Sequence, residues 1–218
     1  MTKLIIFDLD GTLIDTREDL ANACNYALGQ CGFPARKLEE YNMLVGRGID
    51  NLFRGAMPKE SASEENVAKM RSIFVPYYNE HSCDFTKPYQ GIIEMLEDLT
   101  EKGLRFAVAS NKYQEGTEQL VKTFFGKYPF IKVLGQRAEK PIKPDPLIVA
   151  EAMEAIADIK KEEVLYIGDS DVDMQTGINA GVRTIGVTWG FRGKSELQSY
   201  PSLALIDKSE ELLGILCK

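Results

Sequence analysis

The sequence predicts an α/β fold, in which a parallel sheet carries a helical domain inserted after its first strand. Five short apolar runs, each ending in polar or glycine residues, mark the strands, and they occupy residues 3–8, 104–110, 131–135, 163–169 and 182–190. Four segments with helical periodicity alternate with these runs and occupy residues 90–102, 113–125, 146–157 and 171–180. Continuous apolar strands that alternate with helices are typical of a parallel sheet covered on both faces.

The first strand is followed by a long stretch, residues 15–83, whose patterns are helical. Apolar residues recur there at helical spacing, as in Leu20 and Cys24 near its start. We therefore expect an α-helical domain at residues 15–83, inserted into a core made of residues 1–14 and 84–218.

Composition and charge argue against several classes of function. The 218 residues carry a formal net charge of −7 and a pI near 5.0, with no dense Lys/Arg run, which disfavours a nucleic-acid surface. No stretch approaches the roughly 20 apolar residues of a membrane span, and the start is too poor in apolar residues for a secretory segment. The cysteines lack metal-binding spacing, so we expect reduced, mostly buried thiols in a cytoplasmic protein; they are Cys24, Cys31, Cys83 and Cys217.

Polar side chains follow three of the predicted strands, where each strand ends. They are Asp8 and Asp10; Ser110 and Asn111; and Asp169, Ser170, Asp171 and Asp173. The carboxyl ends of parallel strands meet at one edge of a sheet, and ligands of open α/β sheets bind there. Carboxylates gathered at one edge repel one another unless a cation joins them, and a site of oxygen ligands alone favours Mg²⁺.

Two alternatives apply to these acidic residues. The segment DLDGT could be a simple turn with aspartate at the bend. Alternatively, the aspartates from Asp169 onward imitate the start of an EF-hand calcium loop. That loop requires glycine at its sixth position and glutamate at its twelfth, where this chain has Met174 and Ala180.

The segment KPIKPDP places Lys143 just before a predicted helix. Asp145 can cap that helix and Pro146 can occupy its first position, so the backbone near Lys143 would be held in place. An ammonium group held there could neutralise Asp8 and bind phosphate. The alternatives are a solvated surface lysine here and, for Ser110-Asn111, the N-cap of the helix at 113–125.

The segments FDLDGTL, VASN, KPDP and IGDSDVDMQTGINAG resemble, in order, the four motifs of the haloacid dehalogenase superfamily. More narrowly, they are similar to its phosphoglycolate phosphatase and β-phosphoglucomutase branch, and the resemblance spans about residues 8–190. It implies a Rossmann-like core with a helical cap inserted after the first motif, which agrees with the helical pattern at 15–83.

The resemblance also implies a role for each motif residue. Asp8 would be the nucleophile that forms an aspartyl-phosphate, and Asp10 the general acid and then base. The carboxylates of Asp8 and Asp169, with the backbone carbonyl of Asp10, would ligate Mg²⁺. Asp173 would support the metal site without contacting the ion directly. Dehalogenases and phosphonatases of the group lack the second aspartate, so Asp10 favours phosphate-ester chemistry.

Four further residues are implied to handle the phosphoryl group. Thr12, Ser110 and Asn111 would hold phosphate oxygens, and Lys143 would balance charge on the nucleophile and the transferring group. This agrees with phosphoryl transfer, which depends chiefly on positioning and charge neutralisation.

The inserted domain is expected to select the substrate. In LVGRGIDNLF, Gly46 and Gly48 permit an unusual backbone around Arg47, which could meet a substrate carboxylate or second phosphate. The alternative is an interhelical turn with a solvated arginine.

The expected function is a Mg²⁺-dependent phosphatase acting on a small phosphorylated metabolite, with phosphoglycolate favoured, in a monomer or homodimer. Two alternatives keep the same site, namely a β-phosphoglucomutase-like phosphotransferase and an inorganic pyrophosphatase. A more distant one is a non-catalytic receiver-like module that accepts phosphate on Asp8. Such modules lack both a general acid two residues later and a large helical domain after it.

Overall fold

The computed structural model describes residues 2–216, and within them the chain forms eight strands. They are β1 (Leu4–Phe7), β2 (Ile14–Asp15), β3 (Lys87–Pro88), β4 (Arg105–Tyr113), β5 (Phe130–Gln136), β6 (Val164–Gly168), β7 (Arg183–Val187) and β8 (Ala204–Ile206). Six of these strands form one parallel sheet in the order β5-β4-β1-β6-β7-β8, and β2 pairs with β3 in a separate antiparallel ribbon.

Ten α-helices accompany the strands in the described residues. They are α1 (Arg17–Gln30), α2 (Tyr41–Leu44), α3 (Ile49–Ala56), α4 (Glu64–His81), α5 (Ile92–Glu101), α6 (Gln114–Phe125), α7 (Leu147–Met153), α8 (Asp171–Ala180), α9 (Lys194–Leu197) and α10 (Glu211–Leu216). Short 3₁₀ helices occupy Leu38–Glu40, Lys59–Ser61 and Lys161–Glu163.

Strand β1 lies at the centre of the sheet, between β4 and β6, and all four of its residues are buried. Successive side chains of a strand point to opposite faces. Accordingly, Ile5 and Phe7 join the apolar layer that includes α5 and α6, whereas Leu4 and Ile6 join the layer that includes α7. The strand therefore anchors both layers, and the residues that follow Phe7 emerge at the middle of the carboxyl edge.

Helices α1 to α4 form a separate layer with its own apolar core, which includes Cys24, Tyr41, Phe53, Met70 and Phe74. The β2–β3 ribbon joins this helical unit to the sheet at both of its chain connections, because Ile14 pairs with Pro88 and Asp15 with Lys87. The helical insertion predicted from the pattern is thus present as helices, and its assignment as a domain at 15–83 stays a prediction.

The predicted α/β fold with a parallel sheet is confirmed, and the differences concern short elements. All five predicted strands form, but strand β8 and the two-residue ribbon strands are too short for a periodic pattern to reveal. The helix predicted at 146–157 ends at Met153, and a turn follows in which Asp158 has a positive φ of 56°.

The expectation about the cysteines is partly wrong. Cys24, Cys31 and Cys83 are free, but only Cys24 is buried, while Cys83 is exposed. Cys217 lies outside the described residues. Among residues 2–216, no helix combines the length and apolarity that crossing a membrane requires.

Candidate active site

The side chain of Asp8, which follows β1, meets a buried lysine. The Lys143 ammonium lies 2.8 Å from Oδ1 of Asp8 and 2.7 Å from Oδ1 of Asp173, and it donates to the Tyr166 hydroxyl at 3.1 Å. The Lys143 side chain is only 2% exposed. The alternative of a solvated surface lysine is therefore wrong, and the predicted ion pair with Asp8 is present.

The backbone of Lys143 is held by Asn111, at the end of β4. The side-chain oxygen of Asn111 accepts from the Lys143 N–H at 2.8 Å, and its Nδ2 donates to the Lys143 carbonyl at 3.1 Å. The same Nδ2 donates to the carbonyl of Gly46 at 2.9 Å. Both amide hydrogens are thus used on backbone oxygens, and a contact between this side chain and phosphate stays a prediction.

The capping alternative for Ser110 and Asn111 is wrong. Helix α6 begins at Gln114, and the residue before it, Tyr113, makes no side-chain cap. Ser110 is buried within the end of β4, where its Oγ accepts from the Lys112 N–H at 3.2 Å. The expected cap by Asp145 is present in part, because its carboxylate accepts from the Leu147 N–H at 2.9 Å.

Asp173 lies at the start of α8, and donors occupy both of its oxygens. Besides Lys143, the hydroxyl of Tyr166 donates to Oδ1 at 3.0 Å. Ser170 donates to Oδ2 through its hydroxyl at 2.6 Å and its backbone N–H at 3.1 Å. Asp173 is fully buried, so these bonds fix a negative charge that in turn holds Lys143 beside Asp8.

Asp169, at the end of β6, is packed tightly between two glycines. A Cβ on Gly11 or on Gly190 would lie 2.4 Å or less from atoms of the Asp169 side chain. The carboxylate accepts from the Phe191 N–H at 2.7 Å and from the Thr12 hydroxyl at 3.3 Å. Thr12 thus orients Asp169 here, and its predicted contact with phosphate stays a prediction.

Burial governs the ionisation of these carboxylates. It raises the pKa of Asp8 to about 7, an effect that the nearby Asp173 increases and Lys143 opposes. It also raises the pKa of Asp169 well above its usual range, with Asp173 and Asp8 adding to the effect. Burial disfavours the charged form of Lys143, but Asp173 and Asp8 outweigh it and hold that pKa well above the ordinary lysine value.

One carboxylate oxygen from each of Asp8, Asp169 and Asp173 lies within 4.8 Å of the other two, so this buried group could hold a metal ion. The donors are all oxygens, which suits a hard cation. Among the described residues, Asp8 shares its one cation, Lys143, with Asp173, and Asp169 accepts only from a backbone N–H and a hydroxyl, so three buried carboxylates meet a single ammonium. The residues therefore fit a bound divalent ion, with both oxygens of Asp173 already hydrogen-bonded by Lys143, Tyr166 and Ser170.

Asp10 has partners of its own, and one of them was missed at the sequence level. Its Oδ2 lies 3.0 Å from the ammonium of Lys112, and its Oδ1 accepts from the Thr16 hydroxyl at 2.8 Å. The Lys112 side chain is 3% exposed, and its ammonium lies 4.7 Å from the centre of the Tyr78 ring in α4. The only sequence signal was its place directly after Ser110-Asn111 at a strand end.

A cavity lies between the end of the sheet and the helical unit, and its empty space together with the solvent at its mouth amounts to about 470 Å³. Its polar wall comes from the sheet edge and includes Asp8, Asp10, Ser110, Asn111 and Lys112. Its apolar wall comes from the helical unit, namely Leu20, Val45, Ile49, Leu52 and Phe74. A bound molecule would thus face the carboxylates on one side and hydrocarbon on the other.

The loop between α2 and α3 closes one side of this cavity through Gly46 and Gly48. Arg47 between them is half-exposed and pairs with Asp171 at 2.5 Å, which ties the loop to the start of α8. Arg192 also donates to the Val45 carbonyl at 3.1 Å. The predicted contact of Arg47 with substrate stays a prediction, because its guanidinium here bridges the two parts of the chain.

Comparison with known proteins agrees with this geometry. Residues 5–187 match the family model of the haloacid dehalogenase-like hydrolases. The chain is 32% identical to a phosphoglycolate phosphatase of Vibrio parahaemolyticus, over 98% of this chain and 96% of that protein. It is 28% identical to the pyrophosphatase PpaX of Bacillus mycoides, over 98% and 96% of the respective chains.

A crystal structure from Lactobacillus delbrueckii subsp. bulgaricus, provisionally assigned as a phosphoglycolate phosphatase, is also similar. It matches with a TM-score of 0.87 and 31% identity, and the match covers 97% of each chain. The family resemblance seen in the four motifs is therefore confirmed, together with the Rossmann-like core. The chain belongs to the haloacid dehalogenase-like hydrolases.

Proposed function

We propose that this protein is a Mg²⁺-dependent phosphatase that hydrolyses a small phosphorylated metabolite, with phosphoglycolate favoured, through an aspartyl-phosphate on Asp8. The observation that carries the proposal is that the two aspartates pair with two different buried lysines. Asp8 lies 2.8 Å from Lys143, and Asp10 lies 3.0 Å from Lys112. The two carboxylates therefore have different environments, as two different roles in one reaction require.

Asp8, Asp169 and the Asp10 carbonyl would hold Mg²⁺, and Asp173 would support the site. When bound there, Mg²⁺ would neutralise negative charge on the nucleophile and on the phosphoryl group. The raised pKa of Asp8 and of Asp169 supports this fit, because carboxylates that burial disfavours as anions gain most from a cation.

The protein's own residues account for each bond that changes. An oxygen of Asp8 bonds to phosphorus while the bond from phosphorus to the leaving oxygen breaks, and Asp10 gives that oxygen its proton. Asp10 then takes a proton from a water molecule that attacks phosphorus, and the bond between Asp8 and phosphorus breaks. Lys143 keeps the transferring group near a fixed positive charge throughout.

Substrate preference is supported by the relatives and by the shape of the cavity. A phosphoglycolate phosphatase is 32% identical over nearly the whole chain. The apolar wall offers few hydrogen-bond partners for a sugar, which favours a short substrate over a hydroxyl-rich one. A cytoplasmic location and a monomeric or homodimeric state stay predictions.

Inorganic pyrophosphate is a second candidate substrate, because the pyrophosphatase PpaX is 28% identical over 98% of the chain. A phosphotransferase of the β-phosphoglucomutase type has less support. It requires a second phosphate site in the helical unit, and the described residues that line the cavity from that unit carry no charge. A receiver-like module is disfavoured by membership of a hydrolase family.

A phosphatase screen tests the proposal. Phosphoglycolate, pyrophosphate and β-glucose 1-phosphate are offered with Mg²⁺ or with EDTA, and released phosphate and glucose 6-phosphate are measured. We expect phosphoglycolate hydrolysis that EDTA abolishes. Asp8→Asn should abolish turnover, and Asp10→Asn should lower kcat by about 10²–10⁴-fold, as loss of general acid–base catalysis does.

The matched control is Asp207→Asn, which removes a surface carboxylate with 58% side-chain exposure and should leave turnover unchanged. Full activity in Asp8→Asn would refute the aspartyl-phosphate proposal. Faster hydrolysis of pyrophosphate than of any ester would replace the favoured substrate, and formation of glucose 6-phosphate would replace the hydrolase with a phosphotransferase.

A further inference from the structure

We propose that Lys112, at the end of β4, recognises a carboxylate on the leaving-group side of the substrate. The inference rests on the proposed function and deepens it, because it names the substrate class as short phosphate monoesters that carry a carboxylate. It also assigns this recognition to the sheet edge rather than to Arg47 in the helical unit.

Lys112 lies on the leaving-group side of the proposed site, whereas Lys143 lies on the phosphoryl side. Lys143 lies against Asp8, the proposed nucleophile, and so serves the phosphoryl side of the site. Lys112 lies 3.0 Å from Asp10, which in the proposed reaction delivers a proton to the leaving oxygen. A group that contacts Asp10 therefore lies beside the leaving group.

Charge in the cavity points to the same residue. Among the described residues that line it, Lys112 is the only one with a positive charge. Its side chain is only 3% exposed, so little water screens that charge. Arg47, by contrast, is 52% exposed and pairs with Asp171. A second negative group on a bound substrate would find its partner at Lys112.

Lys112 also has donors to spare. An ammonium group carries three N–H donors, and within the described residues this one donates a side-chain hydrogen bond to Asp10 alone. Its neighbour on another side is the face of the Tyr78 ring, at 4.7 Å from the ring centre. It can therefore donate a hydrogen bond to a substrate carboxylate while it keeps its hydrogen bond to Asp10.

The distances limit the length of the substrate. In an ester of a two-carbon acid, the carboxylate oxygens lie three bonds from the leaving oxygen, which is about 3–4 Å. The leaving oxygen must come within hydrogen-bond reach of Asp10, whose Oδ2 is itself 3.0 Å from the Lys112 ammonium. A carboxylate one or two carbons from the ester oxygen can therefore reach Lys112.

The test compares two esters of the same length on the intact protein. Phosphoglycolate carries a carboxylate, and ethylene glycol monophosphate carries a neutral hydroxymethyl group in its place. The measured quantity is the ratio of their kcat/KM values. In Lys112→Met, which removes the charge and shortens the side chain by one heavy atom, we expect this ratio to fall about 10- to 100-fold, mainly through KM for phosphoglycolate.

Lys112→Arg should keep the ratio within about threefold, since it retains the charge. Arg47→Met, the matched variant of the other cation near the loop, should leave the ratio unchanged. An equal loss on both esters in Lys112→Met would overturn the proposal and make Lys112 a positioning residue for Asp10. A ratio that falls only in Arg47→Met would overturn it as well.

Assays of the two esters with the wild-type protein distinguish a failure of this inference from a failure of the proposed function. Failure to hydrolyse either ester with Mg²⁺ counts against the proposed function. Hydrolysis of both esters with a ratio near one overturns the recognition of a carboxylate but leaves the phosphatase in place. Should Lys112→Met not fold, as judged by circular dichroism, a wild-type ratio above about 10 that survives Arg47→Met supports the inference.

Discussion

Lys143 and Lys112 are both buried, and each pairs with one of the two aspartates that follow β1, but their surroundings differ. Lys143 contacts Asp8, Asp173 and a tyrosine hydroxyl, all from the sheet and its own helices. Lys112 makes its one side-chain hydrogen bond, among described partners, with Asp10, and it lies over a tyrosine ring of the helical unit. One lysine is therefore held by several hydrogen-bonded partners, whereas the other lies at the boundary between two parts of the molecule.

The difference suggests two kinds of positive charge in one site. Lys143 keeps the same partners, whereas Lys112 can gain a new partner when a molecule binds. The partners of Lys143 are themselves held, since Asp173 accepts from Ser170 and Tyr166 as well. Lys112 instead borders the cavity, where a bound molecule can become its partner. In the proposed reaction, chemistry at Asp8 would need the same geometry in every turnover, while contact with the leaving group would form and break with each substrate.

The largest expected effect comes from Lys143→Met, because Lys143 has more polar contacts than Lys112. It leaves Asp8 and Asp173 buried without their cation, so we expect a loss of about 3–5 kcal/mol in the free energy of unfolding. Turnover should fall at least as far as in Asp10→Asn. Urea denaturation and phosphate release measure these effects.

The control is Lys102→Met at an exposed lysine just after α5, which should change neither property. The loss in Lys143→Met should grow with pH, because ionised Asp8 then meets Asp173 without compensation. Retention of wild-type stability would show that the Lys143 network does not hold the folded state together.

An intermediate effect is expected from divalent ions and pH. Without a cation, burial raises the pKa of Asp8 to about 7, whereas the unfolded chain has the ordinary value of 3.8. The folded protein therefore binds a proton more tightly between these values, and that stabilisation is lost as the pH rises through about 7. In the proposed function Mg²⁺ binds the ionised carboxylates, so we expect it to raise Tm more at about pH 8 than at about pH 5.5, by about 5 °C.

Thermal melts in Mg²⁺ and in EDTA at both pH values measure this difference. Asp8→Asn is the control, because it removes the ionisable group and should reduce the dependence of the Mg²⁺ effect on pH. A larger Mg²⁺ effect at the acidic pH would contradict the assignment of Asp8 as a ligand.

The smallest effect on stability is expected from Lys112→Met. Asp10 keeps its hydrogen bond from Thr16 and borders the cavity, so we expect a loss of about 1–2 kcal/mol. The same urea experiment measures it. A loss as large as that of Lys143→Met would mean that both lysines are structural to the same degree, and the contrast between them would disappear.

The sequence by itself determined the architecture and the place of the candidate site. The apolar run Leu4-Ile5-Ile6-Phe7 predicted a strand buried on both faces, and β1 lies at the centre of the sheet. Alternation of strands and helices predicted a parallel sheet, whose carboxyl ends meet at one edge, so Asp8 and Asp169 could be placed together. These inferences depend on local periodicity and on topology, which a single chain displays directly.

Only the tertiary structure decided which groups the polar side chains contact. Lys112 meets Asp10 across a separation of 102 positions, and Arg47 meets Asp171 across 124. The side-chain amide of Asn111 forms hydrogen bonds with the backbone of Lys143. Such pairings depend on rotamers and on how the helical unit packs against the sheet, and no periodic pattern in the sequence records either of these.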